Sequence, residues 1–133
     1  MPVGAPRTEA TGISIAIARD PSLVRTVRLV AAAVARRASS DESLVEEVRL
    51  AVGEACAVMV SGLVGAAEAA GGQVRLQMDI AERLLVSLTC PGEELEAVDE
   101  NRIDPWALLR GLAGDLVVTR RNGSTSVSMS WPY

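Results

Sequence analysis

The sequence predicts an α+β fold, a two-layer sandwich in which helices pack on one face of a mostly antiparallel sheet. Three observations lead there. Apolar residues alternate with period two in GISIAIA (12–18), QVRLQMDI (73–80) and STSVSMSW (124–131), the mark of strands with one buried face. Between the first two segments, apolar residues recur at helical spacing over 21–37 and 41–70. Short polar joins at Ala81-Glu82 and Asn122-Gly123 suit antiparallel hairpins.

Residues 1–11 read as a flexible tail and 12–133 as one domain, since 133 residues suffice for a single core. After the first strand, Asp20 can cap a helix that has Pro21 in its first turn and Leu23, Val27, Val30 and Val34 on its apolar face. Ser40 or Asp41 caps the next helix, whose stripe is Leu44, Val48, Ala51, Val52, Ala55, Met59 and Leu63, ending at Gly71-Gly72. Strands follow at 73–80 and 83–90. PGEELEAVDENRID is then an acidic loop, PWALLRGLAG (105–114) a short helix, and DLVVTRR with STSVSMSW a closing hairpin. Val127, Met129 and Trp131 form the buried side of the last strand, with serines between them; Trp106 also reads as core.

Composition excludes several functions. The net charge of −4 provides no basic field for nucleic acid. Apolar runs break well before the roughly 18 residues a membrane span needs. The N-terminal residues lack a basic region followed by an apolar stretch, so the expected location is cytoplasmic. Cys56 and Cys90 have no CxxC spacing and the chain has no histidine, so no Cys/His metal site is expected and both thiols are read as reduced and buried. All thirteen basic residues are arginine. Arg36-Arg37 suits the negative end of the first helix.

VRLAVGEACAVMV (48–60) raises a chemical question, because it sets a single carboxylate, Glu54, in an otherwise apolar helix segment with Val58 one turn on. VEEVRLAVGEACAVMV, with GDLVVTRRNGSTSVSMSW as a weaker companion, resembles the anti-sigma serine kinases of the RsbW and SpoIIAB type within the histidine-kinase-like (GHKL, Bergerat) ATPases. The resemblance runs from residue 12 to 131. It implies the Bergerat sandwich, magnesium-ATP as cofactor and a glutamate acting as base, a position that Glu54 keeps. The family's metal-ligating asparagine falls on Val58, which has no oxygen to offer. The family's Asp-x-Gly-x-Gly, whose aspartate binds the adenine amine, falls on Cys90, Pro91, Gly92, Glu93 and Glu94: Cys90 is a poor acceptor, Pro91 lacks an amide proton and Glu94 puts negative charge where the backbone should approach a ligand. Its phosphate-binding Gly-x-Gly falls on Ile103 and Pro105, and Gly62 stands where the family often has histidine. ATP use needs these parts together. No cofactor is therefore expected, and Glu54 reads as a vestigial base.

The resemblance also implies partners, a sigma factor and a STAS-domain anti-sigma factor antagonist, which meet the first helix. The docking arginine carries over to Arg25, with Ser22 and Arg28 beside it. A homodimer through the sheet side is a further expectation. Three functions compete: a non-catalytic anti-sigma factor acting by binding alone, an active ATP-dependent serine kinase, and a domain whose old pocket takes another small ligand.

Overall fold

The computed structural model describes residues 11–61, 63–64, 72–94, 106–113 and 115–133. Strand β1 (Thr11–Ala18) leads through a 3₁₀ turn (Pro21–Leu23) into helix α1 (Val24–Ala38), followed by helix α2 (Glu42–Ser61). Then come β2 (Leu63–Val64), β3 (Gln73–Ile80), β4 (Leu84–Pro91), β5 (Glu93–Glu94), α3 (Ala107–Leu112), β6 (Val117–Arg121) and β7 (Ser124–Trp131). Five strands form one antiparallel sheet in the order β1-β3-β4-β7-β6, while β2 and β5 pair separately.

The period-two alternation fixes which face is buried. Ile15, Leu76, Leu88, Val127 and Val118 are register partners in one row across all five strands, and this row belongs to the core side. One residue along, Ser14, Gln77, Ser87, Ser128 and Val117 form the row of the other face. A slip of one residue in any strand would exchange the two rows, so burial itself specifies register. Asn122 and Gly123 both adopt positive φ, 54° and 76°, as the two-residue turn between β6 and β7 requires.

Helices α1 and α2 cover the buried face. Alanines 31, 32 and 35 of α1 and Ala51, Val52, Ala55 and Cys56 of α2 are buried, small side chains that let the two helices approach closely. Asp20 begins the first helical turn, its Oδ1 accepting from the Ser22 amide and hydroxyl, each at 2.9 Å. Asp41, one of the two expected caps, accepts from the Ser43 amide at 2.9 Å. Trp131 donates from Nε1 to Glu47 Oε1 at 3.1 Å, joining the last strand to α2. Both tryptophans are core, as expected. Arg36 reaches Glu42 at 3.6 Å, an exposed pair of little energetic weight.

Four boundaries differ from expectation. Helix α2 stops at Ser61 instead of running to Ala70, and Leu63 belongs to a strand. Gly62 and Gly65 flank Leu63 and Val64; each glycine costs a helix about 1 kcal/mol, and the β5 backbone supplies the bonds a helix would have made. The acidic loop accordingly begins as strand at Glu93–Glu94. Helix α3 is limited to Ala107–Leu112, and the hairpin join extends to Arg83. Among the described residues no helix is long and apolar enough to cross a membrane.

Met59 is wholly buried and Leu29 is 63% exposed, although both are helical and apolar. Met59→Ala should lower the unfolding free energy by about 2–5 kcal/mol in a urea titration. Leu29→Ala should stay within about 0.5 kcal/mol of wild type.

Candidate functional site

Helix α2 carries Glu54, Cys56, Val58 and Met59 toward the end of β4, where Cys90, Pro91 and Gly92 follow one another. Glu54 is half-buried, Val58 is 8% exposed, and Cys56 and Cys90 are buried free thiols. The Glu54 carboxylate makes no hydrogen bond or ion pair with another described residue. Ile103 and Pro105 lie outside the described residues, as does Gly62; of Glu94 only the strand backbone is described.

The group that binds these elements together is Arg19, which immediately follows β1. Its Nη1 donates to the Pro91 carbonyl at 2.9 Å and its Nη2 donates to the Met59 carbonyl. Met59 lies in the last turn of α2, where carbonyls lack intrahelical partners and the helix dipole favours a cation. One guanidinium therefore caps α2 and ties it to the end of β4. Sequence reading passed over Arg19, yet a signal was present: it falls on the same parity as Ile13, Ile15 and Ile17, the inward side of β1. An arginine on a buried register needs internal acceptors.

Gly92 is fixed from the other side. It holds φ at 106°, its amide donates to the Gly123 carbonyl at 2.6 Å, and its carbonyl accepts from Thr125 Oγ1 at 2.8 Å. Thr125 is fully buried. The glycine is thus built into the β6–β7 hairpin by backbone geometry that a side chain would strain. Pro91, beside it, has no amide hydrogen.

Burial governs the thiols. Cys56 is pushed up to about 11 by desolvation and then by the neighbouring Cys90 thiol, with Arg28 acting in the opposite sense. Burial also raises Cys90, against the pull of Arg19. Both are protonated at neutral pH and so are poor nucleophiles and poor metal ligands. Among the described residues no cluster of three or more His, Cys, Asp or Glu could hold a metal ion.

The predicted docking residues lie at the start of α1. Arg25 and Ser22 are exposed, and the Ser22 hydroxyl is committed to Asp20. Arg28 is half-buried and lies against Gly53, where an added Cβ would come within 2.2 Å of Nε. Its Nε is buried with no hydrogen-bond partner.

Two outcomes can be measured. Arg19→Met should destabilise the fold by about 1–3 kcal/mol in urea, because two carbonyls lose a charged donor. Arg19→Lys should recover only part, since an ammonium lacks the planar fork. Separately, raised thiol pKa values stabilise the folded state fully below about pH 9 and lose that effect as pH rises through about 11. The melting temperature should hold through neutral pH and fall across this window, and Cys56→Ala should flatten the fall. With neither lysine nor histidine in the chain, few other groups titrate there.

No curated protein sequence matches the chain. The crystal structure of the RsbU and RsbW domains of Rv1364c from Mycobacterium tuberculosis superposes on it with a TM-score of 0.71 at 16% identity. That match covers 95% of this chain and 33% of the mycobacterial one, so this chain spans about a third of that protein. The likeness extends to the fold. The family model of the histidine kinase-like ATPase domain matches residues 17–99, which include β1's end, both long helices, the strand bearing Cys90 and the Gly92 that follows it. With more than half its length so matched, the chain belongs to the histidine kinase-like ATPase family.

Proposed function

We propose that the chain is a regulatory binding domain, an anti-sigma factor that captures a sigma factor or a STAS-domain antagonist without using ATP. The observation that carries this reading is the Arg19 bridge between Met59 and Pro91, beside a buried Val58 and a protonated Cys90. A magnesium–nucleotide needs oxygen ligands and an adenine acceptor at these positions in the family, and the residues present do not fit it. The likeness to the RsbW domain fold supports the partner class. The exposed Leu85 and Val117 on the open sheet face support a homodimer through that side.

A kinase reading has one point in its favour, the half-exposed carboxylate of Glu54. Calorimetry with magnesium-ATP separates the two. Binding should be undetectable at micromolar ATP, and Val58→Asn alone should not restore it, because the other contacts are still lacking. Micromolar affinity abolished by chelating magnesium would establish the kinase reading instead.

Arg25 provides a second test. Against a panel of sigma factors and STAS-domain proteins from the same bacterium, Arg25→Ala should weaken capture by about 2 kcal/mol. Its melting temperature should hardly change, since exposed substitutions cost about 0.5 kcal/mol or less. Arg25→Glu should be weaker still. Arg83→Ala, on the β3–β4 turn and paired with Asp115 at 2.7 Å, should bind normally.

A further inference from the structure

Asn122 and Gly123 form the exposed tip of the β6–β7 hairpin, and a Cβ built on Gly123 would find no atom within 4 Å. The Asn122 carboxamide makes no hydrogen bond with another described residue, and neither does the Gly123 amide. The Gly123 carbonyl, by contrast, is committed. It accepts from the Gly92 amide at 2.6 Å, and the Gly92 carbonyl accepts from the buried Thr125 hydroxyl at 2.8 Å. The same turn thus has an open side and a side that holds the end of β4. Asparagine is a thermolabile residue, because its carboxamide carbon lies one succinimide ring closure away from the nitrogen of the next residue. Gly123 favours that closure, since no side chain crowds its nitrogen. The other asparagine of the chain, Asn101, is followed by Arg102.

We propose that Asn122 is a site of spontaneous deamidation and that its isoaspartate product releases Gly92 from the hairpin. The Gly123 nitrogen gives its proton to hydroxide and bonds to Asn122 Cγ, the Cγ–Nδ2 bond breaks, and Nδ2 leaves as ammonia with a proton from water. Water then opens the succinimide. Breaking the bond from the nitrogen to Cγ leaves aspartate, whereas breaking the bond to the backbone carbonyl carbon sends the main chain through Cγ and leaves isoaspartate. Isoaspartate lengthens the turn by one main-chain carbon and adds a negative charge. A two-residue turn with both residues at positive φ cannot take in that carbon without moving the Gly123 carbonyl. Aspartate keeps the main-chain spacing and tolerates the left-handed conformation, so the two products act differently on Gly92. The inference is independent of the partner-binding reading above.

The experiment ages the folded full chain at mildly alkaline and at mildly acidic pH. Fragment-ion mass spectrometry places the mass gain, a protein isoaspartyl methyltransferase labels isoaspartate, and NMR follows the Gly92 amide resonance. Asn122 should convert faster at the alkaline pH and ahead of Asn101, and a second Gly92 resonance should grow in proportion to isoaspartate. Before ageing, Asn122→Asp should leave the Gly92 resonance close to its wild-type position. Asn122→Gly, which suits the positive φ, should gain no mass at the turn and keep a single Gly92 resonance on ageing. Conversion of Asn101 at an equal or greater rate, or conversion of Asn122 in urea but not in the folded chain, would overturn the site. Isoaspartate at Asn122 that leaves the Gly92 resonance unmoved would overturn the release.

Discussion

The Arg19 guanidinium ties the end of α2 to the end of β4, beside the shared core and the Trp131–Glu47 bond that also join helices to sheet. Without Arg19, the last turn of α2 would present a bare carbonyl toward the end of β4, and the Pro91 carbonyl would lose its donor as well. Because both acceptors are backbone groups, the bridge constrains where the chain runs, whatever side chains flank it. It also explains why Val58 and Cys90 can be simple filling: the two elements they sit on are already connected through the main chain. The adjoining thiols then behave as small apolar groups, held protonated by the burial that the bridge helps to enforce.

The same constraint bears on the proposed loss of ATP use. A cleft that is to admit a nucleotide must leave its polar groups open to a ligand, whereas here two of them are already matched to internal partners. Arg19 serves Met59 and Pro91, and Gly92 is engaged by both Gly123 and Thr125. The Glu54 carboxylate and the buried Arg28 Nε, by contrast, have no partner among the described residues. The binding capacity of the fold has in this reading moved from the end of β4 to the face of the first helix.

Much of this was legible in the sequence, and the reasons are physical. Period-two alternation at Ile13, Ile15 and Ile17, and again at Val127, Met129 and Trp131, reports a sheet with one wet face, and only one register buries it. Asn122-Gly123 states its own turn. What escaped depends on contacts distant along the chain. The pairing of Leu63–Val64 with Glu93–Glu94 is too short to leave a periodic trace, so α2 reads as longer than it is. Gly92 looks like a remnant of the Asp-x-Gly-x-Gly motif, and nothing local announces that Gly123 and Thr125 hold it. Arg28 reads as a surface arginine until Gly53 is seen beneath it.

The position of β1 has a consequence for how the chain assembles. It pairs with β3, so two helices intervene between partners such as Ala18 and Gln73, while β3 meets β4 across a three-residue turn. Closing the larger loop costs more chain entropy before any ladder bond is gained. Such non-local pairing slows folding relative to hairpins and helix pairs. The β3–β4 and β6–β7 hairpins and the α1–α2 pair join neighbouring sequence, whereas β1 has the largest loop to close. Since Arg19 directly follows that strand, the bridge from helix to sheet sits beside the pairing with the largest loop to close.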